Sequence, residues 1–375
     1  MEKIYTSLGL MSGTSMDGID ASIIKSNGED KYETVFDQYF KYDEEIYREL
    51  VNIRNKINSS RDLEINKTIL SELERKITLF HATVCKKVIS NYSSNIDLIG
   101  FHGQTIFHNA NEKISKQLGD ALLLSSLLKK KVVYKFREND LINDGQGAPL
   151  APIFHQLLVN QNKIDLPTCI LNIGGIANIT IISSKDSNDL KSYDIGPGNC
   201  LLDEWIRKNS EERFDTNGEL AKAGKTDEII LNQAIESFDS IKNNNNLSFD
   251  IKDFDLNFVR GLSLEDGLST LTDFTSSLIH QSIINSINFD KVKKVNLLIC
   301  GGGRKNLSLI KSIKDRLPFN VKLRLIDDYK IDGDFIESSA FAYIAIRSYL
   351  KKIISFPKTT NVKKLCSGGV LIENY

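Results

Sequence analysis

A two-domain α/β fold is predicted for this chain by three observations. The stretch "GLMSGTSMDGID", Gly9–Asp20, reads as strand, glycine-bearing turn, strand, and "TCILNIGGIANITII", Thr168–Ile182, repeats that arrangement. Each is followed by a third strand and then by alternating helices and strands, the order of a layered α/β domain. At 375 residues the chain exceeds the usual size of one core. The boundary is placed near residue 140.

Taken in order, "IYTSLGLM", "DASIIKS" and "YETVFDQYFKY" read as three meander strands. Two helices follow, from about Asp43 to Ile57 and from about Asp62 to Asn91. In the second, Ile65, Ile69, Leu73, Ile77, Phe80 and Val84 recur at three- and four-residue steps, an apolar stripe for packing on a sheet. His81 and Cys85 beside it read as ordinary buried side chains. "NIDLIGFHG" returns to a strand, "GDALLLSSLLKK" to a helix and "KVVYKF" to a strand. In the second half, "LKSYDIG" is the third strand and a helix opens after Pro197. Leu268, Leu271, Phe274 and Leu278 mark a long helix, and "VNLLICGGG" and "VKLRLI" are further strands. The run "KNNNN", Lys242–Asn246, reads as a solvated loop.

Composition narrows the classes. A net charge of -1 with 26% charged residues offers no basic field for duplex nucleic acid. Five widely spaced cysteines without a Cys-x-x-Cys pair argue against a disulfide scaffold or zinc site and suit a reducing compartment. Glu2, Lys3 and Thr6 interrupt any signal-peptide pattern, and no stretch reaches the roughly 18 apolar residues of a membrane span. A cytoplasmic protein with no membrane or nucleic-acid partner is the expectation.

The glycines carry the chemistry. "GELAKAGKT", Gly218–Thr226, has one residue too many for a P-loop and follows no strand, and "GPGNCL" has Leu201 where a dinucleotide fingerprint needs its third glycine. Four clusters remain, Gly13/Gly18, Gly174/Gly175, Gly196/Gly198 and Gly301/Gly302/Gly303, each at a strand end, where α/β folds place binding crevices. One such turn reads as structural; four, with acids and amides beside them, point to a bound nucleotide.

Six motifs in order, "GLMSGTSMDGID", "FHGQTIFH", "DGQGAPLAP", "LNIGGIANIT", "YDIGPGN" and "CGGGRKN", resemble the anhydro-N-acetylmuramic acid kinase family of the sugar kinase/Hsp70/actin superfamily. The resemblance implies two RNase H-like lobes around a nucleotide cleft, residues 1–140 and 141–335, with 336–375 packing back on the first. It makes the first hairpin a phosphate-1 turn (Ser12, Gly13, Thr14, Ser15, Met16, Asp17, Gly18 and Asp20). The second becomes a phosphate-2 turn (Asn172, Gly174, Gly175 and Asn178, with Gly196 nearby), and Gly301, Gly302 and Gly303 an adenosine turn. The family opens the 1,6-anhydro bridge of its sugar with water and phosphorylates O6 from ATP.

That reaction needs a base for water, a bridge oxygen in line with the γ-phosphate, and Mg²⁺ to offset triphosphate charge. Asp194, leaving a strand into a glycine turn, is assigned as the base; its structural alternative is a helix N-cap. His102, Gln104 and Thr105 are assigned to the sugar. Arg137 is assigned to the lactyl carboxylate, a bidentate role suited to guanidinium, against a surface salt bridge. Glu337 accepts a sugar hydroxyl or holds the water, or else complements its helix dipole. Asp17 and Asp20 are placed on the metal side of Mg-ATP. Phe101, "NDGQG" and "TTNV" near Thr359 depart from the family's usual small residue, "GGQG" and Thr-Gly-Ala. A homodimer is implied by the family. The alternatives are a hexosamine kinase of the same superfamily and a non-catalytic sugar sensor. Sensors carry a helix-turn-helix ahead of the first lobe, whereas the first strand here begins by about Tyr5.

Overall fold

The computed structural model describes residues 3–242, 248–289 and 292–375, so 243–246 of the asparagine run lie outside the described residues. The chain divides into two compact units. Unit 1 holds the residues up to Ile164 together with Lys185–Leu190 and Phe335–Tyr375; unit 2 holds Asp165–Ser184 and Lys191–Asp334. Residue 140 therefore lies inside unit 1. The segment that follows it ends in the helix Pro152–Gln161, which packs on the helix Ile336–Tyr349 of the same unit.

In unit 1, β1 (Tyr5–Ser12), β2 (Gly18–Ser26), β3 (Tyr32–Lys41), β4 (Leu98–Asn109), β5 (Ile114–Leu118) and β6 (Lys131–Tyr134) form one sheet in the order β3-β2-β1-β4-β6. Strands β1, β4 and β6 run parallel, and β2 is antiparallel to both neighbours. The short strand Val370–Ile372 lies outside β6, and β5 returns as a hairpin on β4. In unit 2, β7 (Thr168–Ile173), β8 (Ile176–Ile182), β9 (Lys191–Pro197), β10 (Val295–Cys300) and β11 (Val321–Leu325) take the order β9-β8-β7-β10-β11, again with only the second strand reversed. Order 3-2-1-4-5 with an inverted second strand is the RNase H-like arrangement, so each unit is one copy of it.

β1 and β7, the central strands of the two sheets, are buried along almost their whole length, so their side chains are enclosed on both faces rather than alternating between core and solvent. Leu8 and Leu10 of β1 face a core with Leu50, Leu73, Ile77 and Val88 from the helices Glu44–Lys56 and Lys67–Asn91. The stripe expected over Ile65–Val84 begins late. Ile65 and Ile69 are 68% and 48% exposed, because the helix breaks at Asn66 and the buried positions start at Leu70.

The other face of β1 and β4 is a glycine platform. Gly9 and Gly100 are register partners, and the helix Ile336–Tyr349 lies directly on them. A Cβ on Gly9 would stand 2.0 Å from the Ser338 carbonyl oxygen, and one on Gly100 2.4 Å from that of Phe341. Both obstacles are backbone, so a methyl there can fit only by lifting the helix off the sheet. Gly9→Ala is expected to lower the unfolding free energy by about 3 kcal/mol, whereas Gly302→Ala should stay within about 0.5 kcal/mol. A Cβ on Gly302 meets nothing within 4 Å. Urea titration of the two variants checks the contrast.

Candidate active site

The first glycine turn, residues 13–17, is held from below by hydrogen bonds, with Thr14 and Ser15 exposed at its tip. Met16 adopts φ +58° and buries its side chain in the core, an anchor at a backbone angle non-glycine residues rarely take. The Met16 N–H donates to the Gly13 carbonyl (3.3 Å), the Tyr42 N–H to the Asp17 carbonyl (2.8 Å) and Gln104 Nε2 to the Gly13 carbonyl (2.9 Å). Thr14 and Ser15 are exposed, and the Ser15 hydroxyl donates to Asp17 Oδ1. Ser12 is turned inward, with its hydroxyl 2.9 Å from Tyr42 Oη and 3.4 Å from His81 Nε2. His81 Nδ1 lies 2.8 Å from the Ile77 carbonyl, so that nitrogen carries the proton and Nε2 accepts from Ser12. Burial lowers the His81 pKa to about 4 and keeps the ring neutral.

Next to Ser12, β4 carries an extra residue. Its pairing with β1 passes from Leu10↔Phe101 to Ser12↔Gln104 across a bulge. Gly103 within it has φ +75°, and a Cβ there would sit 2.5 Å from the Leu118 carbonyl oxygen. The bulge brings Gln104 under the first glycine turn. Gln104 is fully buried, and its Oε1 has no partner among the described residues. Thr105 is half-buried and accepts from Gln117 Nε2 at 3.3 Å. His102 Nδ1 bonds to the Gly103 carbonyl (2.8 Å), while its Nε2 accepts from Arg137 Nε (3.2 Å) and Nη2 (2.9 Å). Burial, then the Arg137 charge, lowers its pKa to about 3. Glu337 is half-buried in the first turn of the helix on the glycine platform, and Asp20 lies in β2 opposite Met11 and Tyr39.

In unit 2, three of the expected site residues are brought side by side on adjacent strands. Asn172 pairs with Asn178, and Asn178 with Asp194. A bulge at Ile195 re-aims β9 just past Asp194. Asp194 is half-buried, and its Oδ2 accepts from the Phe249 N–H at 2.9 Å. It caps no helix. The helix after Pro197 spans Cys200–Asn209 and has Asn199 at its N-cap position.

The glycine turns of this unit are packed on each other. A Cβ on Gly301 would fall 2.3 Å from Asn172 Oδ1, one on Gly303 2.3 Å from Ile173 Cγ2, and one on Gly198 2.4 Å from the Gly174 carbonyl oxygen. The Gly198 and Cys200 N–H groups donate to the Gly175 carbonyl, and that of Asn199 to Gly174. Gly196 pairs with Ala177, and Gly302 faces open space. Arg304, 6% exposed, holds the third turn: Nη1 donates to the Gly301 carbonyl (3.1 Å), Nε and Nη2 grip Asp327, and Asp332 and Asp334 complete the cluster.

A family model described as anhydro-N-acetylmuramic acid kinase matches residues 5–374. The chain belongs to the anhydro-N-acetylmuramic acid kinase family. The family member of Pelagibacter ubique is 67% identical over 375 residues, covering all of both chains. That of Zymomonas mobilis is 36% identical over 372 residues, 96% of this chain and 98% of its own. That of Agrobacterium fabrum is 34% identical over 383 residues and covers both chains fully.

The departures from the family pattern have local explanations. Asp144 and Asn361, standing where "GGQG" and Thr-Gly-Ala have glycine, adopt φ +64° and +59°, and Asp and Asn are the side chains that best tolerate that region. Phe101 is fully buried against His81 and over Gly119 and belongs to the core. Tyr42, His81 and Arg304, which hold the turns, were not singled out by the sequence for any role at the site. Of the three, only Arg304, within "CGGGRKN", sits in a site motif.

Proposed function

We propose that this chain uses ATP to open 1,6-anhydro-N-acetylmuramic acid with water and to phosphorylate its O6, giving N-acetylmuramic acid 6-phosphate and ADP in peptidoglycan recycling. The observation that carries the reading is the row Asn172, Asn178, Asp194, which sets a carboxylate beside a glycine turn built to approach phosphate. Within unit 2 the base stands beside the phosphate-2 turn, and within unit 1 the phosphate-1 turn lies next to the strand that carries His102, Gln104 and Thr105.

Asp194 accepts a proton from water as that water attacks C1; the C1–O6 bond breaks, and O6 takes the γ-phosphoryl group as ADP leaves. The Phe249 N–H on Oδ2 fixes the carboxylate's plane. Ser12, Gly13, Thr14, Ser15, Met16 and Gly18 form the phosphate-1 turn; its backbone and the exposed hydroxyls of Thr14 and Ser15 face the triphosphate. Gly174, Gly175, Gly196 and Gly301–Gly303 let the unit 2 backbone come close to the nucleotide. Thr105 and Glu337 hold sugar polar groups; Gln104, fully buried and bonded to the Gly13 carbonyl, supports the phosphate-1 turn instead of touching the sugar. Arg137 pairs with the lactyl carboxylate, and His102 serves by orienting Arg137.

Among the described residues no three or more His, Cys, Asp or Glu side chains converge as a metal cage. Asp17, half-buried in the first glycine turn, and Asp20, half-buried in β2, would hold the magnesium ion of Mg-ATP through its waters. When bound, the ion offsets triphosphate charge. None of the described helices is long and apolar enough to cross a membrane. The family resemblance supports a cytoplasmic homodimer.

The test is ADP release with defined sugars. The anhydro sugar is expected to be turned over with kcat/KM at least about 100-fold above that for N-acetylglucosamine, which lacks both the bridge and the carboxylate. The reverse preference would replace this reading by a hexosamine kinase.

A further inference from the structure

The motif "DGQGAPLAP" and the C-terminal "TTNV" take no part in the reaction as described, yet they meet at one buried carboxylate in unit 1. Asp140, in the helix Glu138–Ile142, is 1% exposed. Its Oδ1 accepts from the Gly147 N–H at 2.6 Å, and its Oδ2 from the Thr360 hydroxyl at 2.5 Å. The Gln146 N–H donates to the Thr360 carbonyl (2.7 Å), and the Gly145 N–H to the Asp140 carbonyl (2.9 Å). Glycine is required at both positions around it. A Cβ on Gly145 would lie 2.1 Å from Asp140 Oδ1, and Gly147 has φ +71°.

Gly147 is gripped from its other side by the sugar pocket's cation. Its carbonyl accepts from Arg137 Nη1 at 2.8 Å. Arg137 is held on its Nε–Nη2 edge by the neutral His102 ring, which lies against Phe341 with ring centres 4.5 Å apart. The guanidinium plane is therefore set between two fixed acceptors, Gly147 O and His102 Nε2. The first of these stays in place only while Asp140 holds the Gly147 N–H, and Thr360 in turn fixes the Asp140 carboxylate.

We propose that Asp140 is a positioning residue for Arg137, acting through Gly147, and that the Thr360 hydroxyl is its anchor in the C-terminal segment. The proposal rests on the reading that Arg137 binds the substrate's lactyl carboxylate. The glycine loop and "TTNV" then jointly present one guanidinium in a fixed plane, which two-point recognition of a carboxylate requires. Residues that touch no substrate thereby tune affinity for one of the two substrates.

Thr360→Val removes the hydroxyl at nearly constant shape, and Thr360→Ser keeps it. With folding checked by circular dichroism melts, Thr360→Val is expected to raise KM for the anhydro sugar about tenfold, with KM for ATP and kcat within about twofold of the parent. Thr360→Ser should restore the parent value. In an Arg137→Ala background, Thr360→Val should cost nothing further in kcat/KM, because the two changes remove one interaction. The proposal is overturned if Thr360→Val moves both KM values alike, leaves the sugar KM unchanged in a folded protein, or costs the same factor with and without Arg137. An Arg137→Ala variant with normal sugar KM would instead defeat the reading of Arg137 itself. Asp140→Ala, which leaves the Gly147 N–H without its acceptor, should raise the sugar KM at least as much as Thr360→Val in a protein that melts normally; parent-like values would also overturn the proposal.

Discussion

Asp194→Asn is expected to lower kcat on the order of a thousandfold, with KM for ATP changed by less than about twofold. The substitution keeps the shape of the side chain and an oxygen that can accept the Phe249 N–H, so the bulge at Ile195 and the pairing with Asn178 have no reason to change. What disappears is the ability to take a proton from water at neutral pH. ATP affinity should survive because the turns at Gly174 and Gly301 are held by each other and by Arg304, not by Asp194. A variant of normal ellipticity and melting temperature that retains more than a tenth of the parent kcat would remove Asp194 from the mechanism.

The second large effect is on stability. His81, His102 and His155 are buried, and burial lowers their pKa values to about 4, 3 and 4. For each, the unfolded chain takes up a proton below about pH 6.5 that the folded chain refuses until far lower pH. Stability is then complete above pH 6.5 and falls as the pH drops through the window from 6.5 to about 4. At pH 5 the loss is about 2 kcal/mol per histidine, or on the order of 6 kcal/mol together, comparable with the whole stability of an ordinary domain. Asp140 works in the opposite sense, since burial raises its carboxyl and the folded chain takes that proton first. Asp144, held by Lys113 and Lys363 at about 2, loses its contribution only at lower pH still. Urea unfolding at pH 7.5, 6 and 5 should show a steep decline. A flat profile over that range would mean that the three rings accept protons without cost in the folded state.

The turns were legible because each is a contiguous motif whose glycines mark close backbone approaches, and the duplicated strand order followed from the same repeat. Their supports were not, because the partners are distant in sequence. Ser12 meets Tyr42 and His81 across 30 and 69 residues, and Asp140 meets Thr360 across 220. Periodicity placed His81 beside a buried stripe and could say nothing of the hydroxyl above it. It also overextended that stripe to Ile65 and Ile69, since the break at Asn66 leaves no mark in the apolar spacing. Asp144 and Asn361 look like departures in sequence; their positive φ shows them meeting the same backbone demand as glycine.

Hydrolytic opening coupled to phosphorylation is the central claim, and isotope placement tests it most directly. The anhydro sugar and ATP are incubated with enzyme in ¹⁸O-water, and the sugar phosphate is analysed by mass spectrometry at times short against spontaneous anomeric exchange, which unlabelled product in the same water calibrates. The expected product carries one ¹⁸O on C1 and none in the phosphate ester. A 6-phosphate with unlabelled C1, or with label in the phosphoryl group, would contradict water attack at the anomeric carbon and capture of the bridge oxygen by the γ-phosphate.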